Sequence, residues 1–216
     1  METSFIGVND TSRIVINDLN EGGNFEQQIW ASLEKLFEFQ IFKNPKIAHK
    51  KGIRGLTDIF AFSDFGIFHI ETKALGIFKV EAERSMDSKV KGLQQQIEKG
   101  INQLIGAVKK LTEQQVFDEQ GNEIVFDKTL LPHCIVLISE LLPFGEWEEI
   151  LKKVLMAMIE NRFYLHIMDF RELMQFIGYS QGSKDKFDYF LVQRVQNFIK
   201  EPEIFTRAKF VPKDIK

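Results

Sequence analysis

The run Cys134-Ile-Val-Leu-Ile138 is apolar at every position. A strand with one wet face alternates apolar and polar residues, so an unbroken run demands apolar cover on both sides of its sheet. Two layers of helix must supply that cover, and the chain carries the amphipathic segments to do so. From Asn24 to Phe39, the residues Phe25, Ile29, Leu33, Leu36 and Phe37 recur at the steps one buried helix face requires, and Gly22-Gly23 place a break in front. Ser88 to Leu111 predicts a second helix on the stripe Val90, Gln94, Ile97, Ile101, Leu104, Val108 and Leu111, in which Gln94 is the polar member.

The C-terminal third continues the pattern. Residues 146–160 read as a helix, Phe163 to Ile167 as a short strand, Phe170 to Ile177 as a helix, Gly178 to Gly182 as a turn and Asp185 to Ile199 as a last amphipathic helix. The predicted order is α, β-hairpin, α, β, α, β, α, α, an α/β sandwich around a mixed sheet. A chain of 216 residues without a Pro-rich linker, repeat or low-complexity run fits one domain over residues 1–216, with 201–216 as a loosely attached tail.

Composition excludes several classes. Twenty-one Phe supply apolar volume that a disordered chain lacks, and a formal net charge of −3 excludes a wholly basic, histone-like binder. One Cys cannot form an internal disulfide, and four scattered His do not make a spaced zinc site. The first residues lack a basic region followed by an apolar stretch, and the most apolar segment, 130–142, is interrupted by Pro132, His133 and Glu140. The expectation is a soluble, cytoplasmic protein without membrane partners. Neither phosphate-loop pattern of a nucleotide-binding domain, G-x-x-x-x-G-K-[ST] or G-x-G-x-x-G, occurs.

The clearest hairpin joins the Phe- and Ile-rich runs 56–62 and 67–73 through Ser63-Asp64-Phe65-Gly66. If Ser63 faces Gly66 across the tip, each residue of one strand opposes a fixed partner on the other, so Asp58 lies opposite Glu71. Asp58, Phe60 and Phe62 then share a face with Ile67, His69, Glu71 and Lys73, unless a bulge shifts the register. Two carboxylates and an ammonium converge at the open end. Carboxylates held ionised at close range repel unless a cation sits between them, and oxygen ligands suit a hard ion such as Mg²⁺ or Mn²⁺. Lys73 would orient or activate a water, or stabilise charge growing on phosphorus. The set suits metal-assisted phosphodiester hydrolysis, with Asp58 and Glu71 as metal ligands. A strand with a solvated charged face is the plainer account of Asp58 and Glu-x-Lys alone, but here the shared face is largely apolar.

Other residues carry less. From Lys43 to Arg54 the chain is basic without an acid, and reads as a loop or short edge strand leading into Asp58; Lys46, Lys50, Lys51 and Arg54 are candidate phosphate contacts. Glu26 is a solvated helix residue on pattern alone, His69 a core or edge histidine, Cys134 a buried small hydrophobe and Gln94 a core hydrogen-bonding group. No visible element reads sequence.

These residues resemble the PD-(D/E)xK nuclease superfamily, and within it most closely the nuclease-related domain. Gly55-Leu-Thr-Asp58-Ile-Phe-Ala-Phe followed by Gly66-Ile-Phe-His-Ile-Glu71-Thr-Lys73-Ala-Leu-Gly76 looks like its signature hairpin. Gly23-Asn-Phe-Glu26-x-x-Ile29-x-x-x-Leu33 is similar to its first helix, and Gln96-Ile97 with Leu104 to the Gln-bearing helix after the active-site strands. The likeness covers roughly residues 22–111, with Leu93 where the family has a Pro, and 146–216 lie outside it. It implies a restriction-endonuclease-like three-layer α/β/α fold with a core over about 22–140 and an extension over about 141–200. It also implies an Mg²⁺-dependent nuclease, with DNA as the expected substrate, in which Asp58, Glu71 and Lys73 act with Glu26 as auxiliary ligand or base. Gln94, Gln95 and Gln96 leave the choice of glutamine open, Gln96 being favoured by motif spacing and Gln94 by the helix stripe. Cutting both strands would take a homodimer or a second encounter, since one site hydrolyses one bond. The rival expectation is the same fold kept as a non-catalytic nucleic-acid-binding or protein-interaction module.

Overall fold

The computed structural model describes residues 21–49, 52–74, 85–139, 145–204 and 206. Among the described residues, five α-helices and two sheets make it a mixed α/β structure. The elements in chain order are α1 (Glu21–Phe37), β1 (Ile41–Lys43), β2 (Lys46–His49), β3 (Gly52–Gly55), β4 (Ile59–Phe62), β5 (Ile67–Lys73) and α2 (Met86–Leu111). They continue with β6 (Val116–Phe117), β7 (Glu123–Ile124), β8 (Pro132–Ile138), α3 (Glu148–Asn161), β9 (Tyr164–Asp169), α4 (Phe170–Ser180) and α5 (Lys184–Lys200).

The main sheet has the order β1-β4-β5-β8-β9, antiparallel through β1, β4 and β5 and parallel from β5 through β8 to β9. The apolar run in β8 is buried on both faces, as its composition requires. Ile135 and Leu137 point with Ile59, Ala61, Phe68 and Ile70 toward α1, α4 and α5, while Cys134, Val136 and Ile138 point toward α2 and α3. Strand β9 extends the same sheet, so the C-terminal third shares the core of the N-terminal part rather than forming an appendage.

Helix α1 buries the stripe read from sequence, Phe25, Ile29, Leu33, Leu36 and Phe37. Its bounds differ from the expectation: Gly22 and Gly23 lie inside the first turn, and the chain tightens into a 3-10 turn at Glu38–Gln40. The buried face of α2 runs Val90, Leu93, Ile97, Ile101, Leu104, Val108 and Leu111, with Leu93 in the place assigned to Gln94. A three-residue step from Val90 followed by a four-residue step to Ile97 reaches Leu93, which is why the apolar residue takes the stripe. Ser85 caps this helix by accepting from the Ser88 backbone N–H, with Asp87 in the first turn and Lys109 and Lys110 in the last, the signs that suit the helix dipole.

The basic segment is more ordered than a loop. Asn44 turns the chain out of β1 with φ of 46°, and β2 and β3 then pair antiparallel as an arm. This arm belongs to a second sheet of order β3-β2-β6-β7, closed by strands that follow α2. Ile47, Leu56, Val116 and Ile124 pack there against Phe60, Ile67, Ala107 and Leu111, fixing the small sheet to the end of α2.

Candidate active site

The site begins with the β4–β5 hairpin. Its ladder pairs Ile59 with Ile70, Phe60 with His69, Ala61 with Phe68 and Phe62 with Ile67, the register expected from the turn, without a bulge. Ser63 closes the tip by donating its backbone N–H to the Gly66 carbonyl at 2.9 Å. Asp58 lies one residue before β4 and so stands at the open end with Glu71.

Two donors of Thr72 hold Asp58. Its Oδ2 accepts from the Thr72 backbone N–H at 2.7 Å and from Thr72 Oγ1 at 3.0 Å. Lys73 Nζ donates to Glu71 Oε2 at 2.9 Å, and both side chains are nearly enclosed, with 10% and 3% exposure. Burial first, then the Asp58 charge, pushes the Glu71 carboxyl above its ordinary value, while the Lys73 charge and hydrogen bonds from Lys73 and Thr57 pull it back. One ammonium thus offsets two carboxylates, and the arrangement carries negative charge that a cation would balance. Thr72 thus takes one oxygen of Asp58 and Lys73 one oxygen of Glu71.

The space around them is a cleft of about 810 Å³. One wall is Asn44 and Arg54 to Asp58, the floor is Glu71, and the other wall is the flank of α2 with Gln95, Lys99, Asn102, Gln103, Gly106 and Lys110. Glu98 also lines it but is held by Lys153 at 2.5 Å.

The structure therefore brings Asp58, Glu71 and Lys73 together, with Arg54 on the wall of the same cleft. It corrects the choice of glutamine. Gln95 lines the cleft, whereas Gln96 is exposed and outside its lining, and Gln94 donates to the Glu146 carbonyl at 2.6 Å. Helical phase decides this: Gln95, Lys99 and Gln103 recur at four-residue steps on the flank that faces β4 and β5, and Gln96 is turned a further 100° or so around the axis.

Glu26 is not gathered with the pair. It lies on α1, on the opposite face of the sheet from α2, where Lys43 approaches it at 3.3 Å. Among the described residues no three His, Cys, Asp or Glu side chains form a metal-holding group. Lys46 alternates with the buried Ile47 and so faces away from the core of the small sheet; Lys50 and Lys51 lie outside the described residues, as does Gly76 of the motif.

No family model, curated protein or solved structure matches the chain. The site must be judged on its own chemistry. His69 falls on the site face but is wholly buried against Phe60, with ring centroids 5.1 Å apart, and burial lowers its pKa to about 3. It is a core residue, as is Cys134, whose thiol burial pushes well above its ordinary value. Among the described residues no helix is long and apolar enough to cross a membrane.

Proposed function

We propose that the chain is a metal-dependent nuclease of the restriction-endonuclease-like kind, hydrolysing phosphodiester bonds of nucleic acid, with DNA as the expected substrate. The observation that carries this reading is that Asp58 and Glu71, the latter bonded to the enclosed Lys73, line a cleft whose far end holds Arg54 and Lys110. Asp58 and Glu71 fit a hard divalent cation, because they are oxygen donors whose mutual repulsion is opposed by the single ammonium of Lys73. Bound Mg²⁺ or Mn²⁺ would supply Lewis-acid stabilisation of the charge that develops on a phosphoryl oxygen.

The protein's own groups do the rest. Glu71 fixes the Lys73 ammonium in one place, so its remaining hydrogens can orient a water or the phosphate without reorganising during attack. Thr72, by holding Asp58 through backbone and hydroxyl, sets that carboxylate's direction. Gln95 offers an amide from α2 to orient the substrate phosphate.

One observation favours the non-catalytic alternative: a metal at Asp58 and Glu71 would find no third acidic, His or Cys side chain among the described residues. Two protein ligands are enough for Mg²⁺, which keeps several waters and takes the rest of its shell from substrate. The deciding experiment incubates purified protein with supercoiled plasmid, linear DNA and RNA, with and without Mg²⁺ or Mn²⁺. Metal-dependent cleavage is expected; intact substrates in every lane would leave the binding module as the reading.

A further inference from the structure

Arg54, on the arm, and Lys110, in the last turn of α2, line the same end of the cleft from opposite walls. Among the described residues neither makes an ion pair, and the acids that line the cleft are engaged elsewhere, Glu98 by Lys153, Glu71 by Lys73 and Asp58 by Thr72. Like charges facing each other without an acid between them store repulsion that an anion in the gap relieves. Partial burial, together with the Arg54 charge, draws the Lys110 ammonium below its ordinary value. Neither residue packs in a core that would account for this placement.

We infer that Arg54 and Lys110 form a clamp on a single backbone phosphate of nucleic acid, separate from the phosphate being cut. The inference rests on the nuclease reading for its substrate class and goes beyond it in fixing where the strand lies. Gly100 marks the level of Lys73 on α2, since a β-carbon there would sit 3.5 Å from Lys73 Cε. Lys110 is ten residues further along, about 15 Å at the rise of a helix. That is the axial rise of about four nucleotides of one strand. Asn102, Gln103 and Gly106 lie between, giving polar and sterically open surface for the intervening strand. A substrate must then extend about four nucleotides beyond the cut on one side, and short or isolated phosphodiesters are poor substrates.

The test is binding of a labelled 16-base-pair DNA in EDTA, which prevents cleavage, by wild type, Arg54→Ala, Lys110→Ala and the double variant across a salt series. Each single substitution should weaken binding about tenfold. The double should lose clearly less than the hundredfold of independent contacts, because both groups share one phosphate. Its slope of log affinity against log salt should flatten by about 0.9, the release expected for one phosphate. With lysines ¹³C-methylated, the Lys110 signal should titrate at higher pH when DNA is bound.

A double variant that binds like wild type overturns the clamp, and so do additive losses with a slope change near 1.8, which mean two separate phosphates. Failure of the two readings can be told apart. If wild type cleaves with Mg²⁺ while the double variant binds and cleaves unchanged, only the clamp falls. If coupled binding is seen but no metal supports cleavage, only the nuclease reading falls, and wild type that binds no DNA removes both.

Discussion

Gly100 of α2 sits directly over Lys73 of β5: a β-carbon added there would lie 3.5 Å from Lys73 Cε and 2.9 Å from Val136 Cγ1. Helix and strand therefore approach closely at a point where the helix has no side chain. Gly100→Ala gains about 1 kcal/mol of helix propensity, but overpacking against a branched valine in a closed core costs about 1–3 kcal/mol. A net loss of about 1 kcal/mol is expected in urea unfolding, with a larger proportional loss of cleavage because Lys73 is displaced. Full activity in this variant would show that Lys73 need not keep its position.

Glu71 and Lys73 should reveal their coupling through stability. Removing Lys73 leaves two carboxylates unopposed, whereas Glu71→Ala leaves the ammonium with Asp58, so Lys73→Met should destabilise the metal-free protein by about 1–3 kcal/mol and Glu71→Ala by less, while the double variant recovers part of the Lys73→Met loss. All three should lack cleavage. Additive losses in chemical denaturation would mean that the pair is bathed by solvent in the cleft.

The raised Glu71 pKa makes metal binding proton-linked. In the folded protein the carboxyl keeps its proton to a higher pH than in the unfolded chain, so its contribution to stability is full below the ordinary value and is lost as pH rises through the raised one. A divalent ion needs the carboxylate and must expel that proton. Mg²⁺ affinity should thus fall as pH drops through the raised pKa, with calorimetry in two buffers of unlike ionisation heat showing proton release. Glu71→Gln should abolish the release.

Gln95→Ala should lower turnover with stability nearly unchanged, and Gln96→Ala should alter neither. Gln94→Ala should cost about 0.5–1.5 kcal/mol through the lost bond to the Glu146 carbonyl and leave chemistry alone. Turnover lost in Gln96→Ala instead would contradict the placement of α2 against the cleft.

His69 has both ring nitrogens buried without a hydrogen-bond partner among the described residues. With its pKa lowered to about 3, the folded state resists the proton that the unfolded chain accepts below about 6.5, so stability falls as pH drops across that window. The loss approaches about 1.4 kcal/mol per pH unit for this one group. His69→Leu should flatten the acid limb of the stability profile by one proton. An unaltered limb would mean that His69 is hydrated.

The parts of this architecture that a sequence reader can recover are those where one residue determines its neighbours. Ser63 to Gly66 fixes the hairpin register, and counting along it places Asp58 at the open end with Glu71. The β8 run declares its two covered faces by composition alone. The glutamine was not legible in the same way: three adjacent Gln residues differ by about 100° of helical phase each, and which one meets the cleft depends on the packing of Leu93 and Gly100, not on local pattern. The second sheet escaped because β6 and β7 have two residues each, too few to show a period, and they matter only through their pairing with β2. Lys110 escaped as well, since a lysine in the last turn of a helix already has a sufficient local reason to be there.

The pairing of β2 with β6, Ile47 against Val116 and Lys46 against Phe117, joins chain that precedes Asp58 to chain that follows α2. The gap between Arg54 and Lys110 is consequently spanned by backbone hydrogen bonds rather than set by a free loop. Length drift has unequal effects at the two ends of this wall. Residues added between β2 and β3 lengthen the arm beyond the ladder and leave the gap as it was, so reach along a strand can evolve there. A residue gained or lost between Leu111 and Val116 shifts the ladder against the helix and changes the gap itself, so that short turn is where selection on substrate thickness would act.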